Sequence, residues 1–387
     1  MTRGYLRPAA FSRLGFVVTG LLAAALAGPL VSFHANRILP GDPRSVFACL
    51  PPALAAGLVL ILAAAMAAAF FGGGWPRLAM ASLGIAALGI ACGVAASRLT
   101  ATGGSWSRVS PGMGFWLGLF GLVVLFADAA VRIRFSPRAR LSLVFLAGLC
   151  LAGFFYSGIW RDVSVVREYD ARAADFWREG GIHIMLAAGS LMVACLIGIP
   201  LGIGLKFSQA LRAPILNLLN VIQTIPSIAL FGMLIVPLSW LAAHLPALAK
   251  AGINGVGVAP AFLALVLYSL LPVTANTLIG LRGVPAPVLD AARGMGLTSL
   301  QRLGRVELPL ALPVILTGVR LVLVQNLGLA TVAALIGGGG FGVFVFQGIG
   351  QGAPDLILLG ALPSVILALA AAVVMDALIA LTARPAP

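Results

Sequence analysis

The chain has 387 residues, of which 61% are hydrophobic and 9% charged. Soluble domains carry about 25% charged residues, so this balance excludes a soluble globular protein and selects one whose solvent is the bilayer core. The formal net charge of +14 would suggest nucleic acid in a soluble protein, but Lys206 and Lys250 are the only lysines and no basic block carries interleaved aromatics. The excess is arginine of the kind that gathers in cytoplasmic loops, and nucleic acid is excluded as a partner.

Taken in chain order, the apolar runs near 14–33, 51–71, 78–97, 113–131, 141–160, 182–205, 215–240, 258–281, 311–336 and 356–382 each approach the about 20 residues a bilayer crossing needs. The first is read as an anchor and not as a cleaved leader, because its apolar run is long and no A-x-A site follows. The expectation is an all-α integral membrane protein of about ten transmembrane helices.

Arginine placement sets the orientation. With the N-terminus in the cytoplasm, the inner segments hold Arg3, Arg7, Arg13, Arg77, Arg132, Arg134, Arg138, Arg140, Lys206, Arg212, Arg282, Arg293, Arg302, Arg305 and Arg384. The outer segments hold Arg37, Arg44, Arg98, Arg108, Arg161, Arg167, Arg172, Arg178 and Lys250, offset by Asp42, Asp162, Glu168, Asp170, Asp175, Glu179 and Asp355. This predicts both termini on the cytoplasmic side. Residues 161–181, RDVSVVREYDARAADFWREGG, divide the chain into halves and are read either as a helix lying on the outer surface or as a solvated loop. The cysteines Cys49, Cys92, Cys150 and Cys195 and the histidines His34, His183 and His244 are scattered, with no C-x-x-C and no H-E-x-x-H. Free thiols are expected, and neither a disulfide framework nor a metal site.

Between the eighth and ninth runs lies LDAARGMGLTSLQRLGRVELPLALP, Leu289 to Pro313. Pro285 and Pro287 end one span and open a helix. Val288 to Met295 suits two helical turns, with Val288, Ala292 and Met295 on one apolar face. Asp290 sits in the first turn, and Gly296 is placed to stop the helix in the left-handed conformation. Thr298 with Gln301 three residues on makes a capping box for a second helix. Arg302 and Arg305 then fall toward that helix's C-terminal end, where the dipole favours cations. Pro309 and Pro313 mark the turn back into the bilayer. The expected product is a short helix–turn–helix knob, too short to span and too charged to submerge.

Asp290-Ala291-Ala292, three residues, Gly296, nine residues, then Val306, Glu307, Leu308 and Pro309 resembles the signature loop of ABC importer permeases, which reads Glu-Ala-Ala, three residues, Gly, nine residues, Ile-x-Leu-Pro. Asp replaces Glu, and Val replaces Ile. The resemblance implies that residues 285–310 form a coupling helix element docking on a cytoplasmic ABC ATPase through Asp290, Ala291, Ala292, Gly296, Val306, Leu308 and Pro309. Gln223-Thr224-Ile225-Pro226-Ser227, Ala333 to Gly342 and Phe346-Gln347-Gly348 resemble the quaternary-amine branch, which imports glycine betaine, choline and carnitine.

The implied organisation is an N-terminal membrane region at 1–160 of undefined role, an external segment at 161–181, and a five-helix permease core of the type I, MetI-like class at 182–382. The implied partners are ATPase subunits that bind ATP and Mg, a second permease copy or a paralogue, an extracytoplasmic solute-binding protein, and the bilayer of a bacterial inner membrane. No cofactor is expected in this chain, since it contains no G-x-x-x-x-G-K-[ST] phosphate cradle.

Intramembrane polar groups usually face a bundle interior or a pathway. Gln223, Thr224, Pro226, Asn276, Gln325 and Asn326 are therefore path candidates, or alternatively interhelical glue. Pro226 frees a carbonyl four residues earlier. Aromatic faces suit a quaternary ammonium, and Phe231, Trp240, Tyr268, Phe341, Phe344 and Phe346 are available either for that role or for packing. Arg320 and Asp376 are expected to pair or to snorkel, and Asp128 to sit at a span end. Gly337, Gly339 and Gly342 fit a dinucleotide fingerprint only nominally, since no strand precedes them; a tight turn is the better reading. Three readings compete: a permease for another small solute such as an amino acid, a membrane enzyme, and an ion-coupled transporter. The last needs intramembrane carboxylates, and Asp376 is the one deep acid.

Overall fold

The computed structural model describes residues 13–36, 39–104, 106–250 and 252–382. Arg3, Arg7, Arg37 and Arg384, which bear on the orientation, lie outside them. The chain forms two compact units. The first runs to Ser136 and takes in Phe145–Ala171; the second takes Pro137–Val144 and runs on from Arg172. Among the described residues, nine helices are long and apolar enough to cross a membrane.

The first unit holds α1 (Arg13–Ala27), β1 (Val31–His34), β2 (Asp42–Arg44), α2 (Val46–Cys49), α3 (Pro52–Phe71), α4 (Gly74–Thr102), β3 (Arg108–Pro111), α5 (Met113–Ile133), most of α6 (Pro137–Tyr156), and α7 (Ser164–Ala171). Ala, Leu and Val fill α3, and its proline at the first turn costs no hydrogen bond. Leu22, Leu62, Leu88, Leu122 and Leu125 are fully buried at the centre.

The run expected at 14–33 corrects to a helix ending at Ala27 followed by a strand. Gly28-Pro29 explains it, because proline has no N–H to give and disfavours helix in the residue before it. β1 is the middle strand of a small antiparallel sheet ordered β2-β1-β3, with Phe33 opposite Asp42 and Val109. The 164–171 segment is helical and tied to this sheet. Arg108 binds Glu168 at 2.9 Å, and Arg167 donates to the Ser107 carbonyl at 2.7 Å.

Arg77 is 2% exposed and donates to the Gly72 carbonyl and to Asp128, which also accepts from Arg132 at 2.7 Å. A buried cation persists only with such partners. The cysteines are free thiols, and burial pushes that of Cys49 up to about 11.

The second unit begins with α8 (Ala173–Ile184), a π-turn at Met185–Gly189 and α9 (Ser190–Phe207), which run on as one helix. α10 (Gln209–Thr224) and α11 (Ser227–His244) follow, then α12 (Pro246–Lys250) and α13 (Val258–Arg282). The single run expected at 215–240 is thus two helices, because Pro226 caps the second instead of continuing the first. α14 (Ala286–Gly294), α15 (Ser299–Arg302), a π-turn at Leu303–Glu307 and α16 (Leu308–Val332) come next. A 3₁₀ turn at Ala333–Ile336, α17 (Gly342–Gly350) and α18 (Pro354–Thr382) complete the unit.

α13 is its central helix, buried along most of its length and packed between α9 and α16. Gly337, Gly339 and Gly340 take φ of 75°, 76° and 84°. These are left-handed values that glycine adopts without strain. The glycine run is therefore a turn between helices and lacks the preceding strand of a dinucleotide site.

Candidate functional site

The charged element after α13 is built as a rigid hook. Pro285 caps α14, and Gly296 ends it at φ 77°. Gly296 N–H donates to the Arg293 carbonyl at 2.9 Å and Leu297 N–H to that of Ala292 at 3.2 Å, a Schellman stop that satisfies the last carbonyls. Thr298 and Gln301 form the capping box, with the Thr298 N–H donating to Gln301 Oε1 at 2.9 Å and the Gln301 N–H to Thr298 Oγ1 at 3.3 Å.

Beyond that point the expectation is corrected. α15 does not end in a turn at Pro309; it passes through the π-turn directly into α16. Arg302 is consequently not a cation at a helix C-terminus but a partner of Glu307. Pro309 falls just after the π-turn passes into α16, and Pro313 lies inside that helix.

The signature residues divide by exposure. Ala292 is buried at 1% on α14, which packs on α15 and the π-turn, whereas Asp290, Ala291, Gly296 and Pro309 are exposed, and Val306 and Leu308 are half-buried. Asp290 pairs with Arg293 at 2.9 Å in the open, a bond of little energetic weight. Met295 and Leu300 stand 72% and 80% exposed, and Val288 is exposed too.

The residue the sequence reading passed over is Glu307, treated there as the variable position of the signature. Its carboxylate is 1% exposed and accepts from both Lys206 at the end of α9 and Arg302 at 2.9 Å. An acid next to an apolar run, in a chain with two lysines, was the available signal.

The path candidates do not form one cluster. Gln223 Nε2 donates to the Tyr268 carbonyl at 2.6 Å, and the Tyr268 hydroxyl donates to the Ile225 carbonyl at 2.5 Å. Pro272, inside α13, removes the N–H that the Tyr268 carbonyl would otherwise receive. Gln223 supplies the substitute, while Tyr268 covers a carbonyl left over at the α10–α11 break. The carbonyl freed by Pro226, that of Ile222, accepts from Ile225 N–H at 3.3 Å.

Thr224 and Pro226 are exposed at the same break, and Thr224 Oγ1 donates to the Val221 carbonyl at 2.7 Å. Asn276 Nδ2 donates to the Pro272 carbonyl at 2.8 Å, and Gln325 is half-buried. Asn326 is fully enclosed. Its Nδ2 donates to Ser190 Oγ of α9 and Ser269 Oγ of α13, both at 2.9 Å, so one amide joins three helices. Among the aromatics, Phe231, Tyr268, Phe341 and Phe344 are buried, Phe346 is half-buried, and Trp240 is exposed and stacked on His244 with ring centroids 4.3 Å apart. Arg320 and Asp376 pair at 2.7 Å.

These features are those of a membrane permease core. Residues 194–384 match the family described as "Binding-protein-dependent transport system inner membrane component", and residues 12–166 match "ABC transporter permease YehY, N-terminal domain". The chain is 41% identical over 187 residues to the osmoprotectant import permease protein OsmW of Salmonella typhimurium, covering 48% of this chain and 82% of that protein. It is 34% identical to the glycine betaine/carnitine/choline transport system permease protein OpuCB of Bacillus subtilis, over 53% of this chain and 85% of that one. Among solved structures it is similar to the MetNI methionine ABC transporter in inward facing conformations, with 20% identity, a TM-score of 0.48, and 55% of this chain and 99% of that chain covered. The chain belongs to the inner membrane permease family of binding-protein-dependent ABC importers.

Proposed function

We propose that this permease carries osmoprotectants of the quaternary-amine type, such as glycine betaine, and that its residues 285–310 dock on a separate ATPase. The exposed apolar side chains of Val288, Met295 and Leu300 on a Schellman-stopped, box-capped hook carry the docking reading. Rigidity matters there, since a hook already in its bound shape loses less entropy on docking. Relatives whose names specify osmoprotectants, carnitine, choline or glycine betaine, at 34–41% identity, support the cargo.

In this reading the chain has no nucleotide site of its own. ATP and Mg are held by the partner ATPase, and a solute-binding protein delivers cargo from outside. A second permease copy or paralogue completes the path. Gln223, Thr224 and Pro226 line it at the α10–α11 break, and Asn276, Gln325 and Asn326 stand on the helices packed behind, with Asn326 bracing them. Both termini face the cytoplasm of a bacterial inner membrane. The small sheet supports this topology, because it joins segments 31–44 and 108–111, which the arginine distribution assigns to one side. An ion-coupled mechanism is disfavoured because the deep acid Asp376 is neutralised by Arg320.

The test is radiolabelled glycine betaine uptake into cells lacking other osmoprotectant systems, with the chain co-expressed with its neighbouring ATPase and binding protein. ATP-dependent uptake that choline or carnitine competes for is expected. Uptake of amino acids alone would overturn the cargo, and a chain that never co-purifies with an ATPase would overturn the class.

A further inference from the structure

Glu307 sits at the root of the docking hook with each carboxylate oxygen held by a different cation. Oε2 accepts from Lys206 in the last turn of α9, and Oε1 accepts from Arg302 Nε of α15 at 2.9 Å. The Glu307 side chain is 1% exposed, and those of Lys206 and Arg302 are 17% and 16% exposed. Stability alone does not call for this trio. Well-packed apolar residues of the same volume hold such a space at least as well, whereas removing one partner strands a buried charge. The apolar side chains of the same joint, Ile203, Leu303 and Leu308 around Leu281, Ala311 and Ile315, already supply cohesion, but without direction. What the ion pairs add is a fixed link between the hook and a helix 101 positions away in the chain.

We infer that Glu307 is a positioning residue for coupling: its double ion pair makes α9 travel with the hook when an ATPase moves it. The inference rests on the reading of residues 285–310 as an ATPase dock. α9 extends about 27 Å at 1.5 Å per residue, with Pro200 inside it. One end is clamped through Lys206 to Glu307; the other begins at Ser190, which accepts from the buried Asn326 amide at 2.9 Å. Displacement at Glu307 therefore arrives at the point where α9, α13 and α16 are joined. The π-turn ending on Glu307 assists, because it lets one continuous helix present Leu300 outward and Glu307 inward.

Cys195 lies on α9 and is half-buried, so its reactivity reports that helix's surroundings. In the complex of the full chain with its ATPase, carrying Cys49→Ala, Cys92→Ala and Cys150→Ala, the rate of Cys195 modification by N-ethylmaleimide is compared without nucleotide and with ATP plus vanadate. The rate is expected to change about three- to tenfold in the parent complex. The change is lost in Glu307→Gln while ATP hydrolysis persists, and Lys206→Arg retains it. A Glu307→Gln complex showing the parent's change overturns the inference, and so does a parent complex whose Cys195 ignores nucleotide. If Glu307→Gln does not assemble, Lys206→Met takes its place with the same two outcomes, since Arg302 still balances the carboxylate while the bond to α9 is gone. A purely structural role would lower yield and melting temperature and leave the labelling change intact. Failure of the docking reading shows separately, as a chain that captures no ATPase at any step.

Discussion

Gly296 offers a direct measurement of how much the hook's shape contributes to the proposed docking. It sits at φ 77°, and a Cβ built there meets nothing within 4 Å. Any loss on substitution is therefore conformational and not steric within the chain. An ordinary L-residue in the left-handed region costs about 1–2 kcal/mol. Asn tolerates that region better than most residues, and a β-branched residue tolerates it least. The strain is relieved by unwinding the last turn of α14, which breaks the Leu297-to-Ala292 and Gly296-to-Arg293 bonds. It therefore appears as weaker affinity for the ATPase. A cost of about 1 kcal/mol is roughly fivefold and about 2 kcal/mol roughly thirtyfold. The expected order of ATPase affinity is Gly, then Gly296→Asn within about threefold, Gly296→Ala near fivefold down, and Gly296→Val near thirtyfold down. Titrating purified ATPase onto permease in detergent measures it, and uptake should follow the same order. Equal losses for Asn, Ala and Val would refute the reasoning, because they would mean that any side chain at this site collides with the partner. A Val variant equal to Gly would mean that the turn is not used.

Two further outcomes follow from the buried polar bonds. Tyr268→Phe removes the donor to the Ile225 carbonyl, and Gln223→Leu removes the donor to the Tyr268 carbonyl; each should cost about 0.6–1.7 kcal/mol in mixed-micelle unfolding. Because both bonds brace the same break, the double variant should cost less than the sum, and strict additivity would show that they are independent. Asn326→Leu should fold with a loss of about 1 kcal/mol, because Ser190 and Ser269 each keep a bond to a carbonyl of their own helix, both at 2.5 Å. Asn326→Asp places a charge at a fully enclosed site and should abolish membrane assembly, as read by folded yield; a normal yield would contradict the burial argument.

The hook was the most legible part of the chain, because its signals are local. A proline opening, a glycine stop and a Thr-x-x-Gln cap each act within a few residues, and Gly296 and Thr298 do what their chemistry prescribes. Span placement was nearly as legible, since bilayer thickness fixes the length of an apolar helix. What escaped reading was long-range. The bond that holds Gln223 was hidden, because its amide answers a carbonyl orphaned by Pro272 and nothing near position 223 announces that. Asn326 meets Ser190 and Ser269, residues that a sequence scan passes over as ordinary small polar positions. The strand at Val31–His34 hid inside an apolar run because membrane segments and buried strands share a composition, and only Gly28-Pro29 hinted that the helix stops.

The two π-turns explain why periodicity could not have supplied the rest. Each inserts one residue into a helix, so everything beyond it is rotated by about 100° from where a 3.6-residue repeat would put it. The turn at Met185–Gly189 precedes Ser190, and the turn at Leu303–Glu307 ends on Glu307. In both cases the side chain at the C-terminal edge of the turn joins a buried polar centre linking α9 to another helix. A regular helix that pointed Leu300 at a partner would place its later residues in the same phase, and Glu307 would face away from Lys206. The irregular turn lets one helix serve two surfaces with different facing, the proposed dock on one side of it and the helix bundle on the other. Inserting one alanine between Glu307 and Leu308 should therefore separate the two functions, because it rotates Glu307 by about 100° relative to α16. The hook would keep its Schellman stop and capping box, both N-terminal to the insertion, while Glu307 would lose Lys206. Such a variant should capture ATPase yet fail to transport, and one that does both would show that the facing of Glu307 has no bearing on coupling.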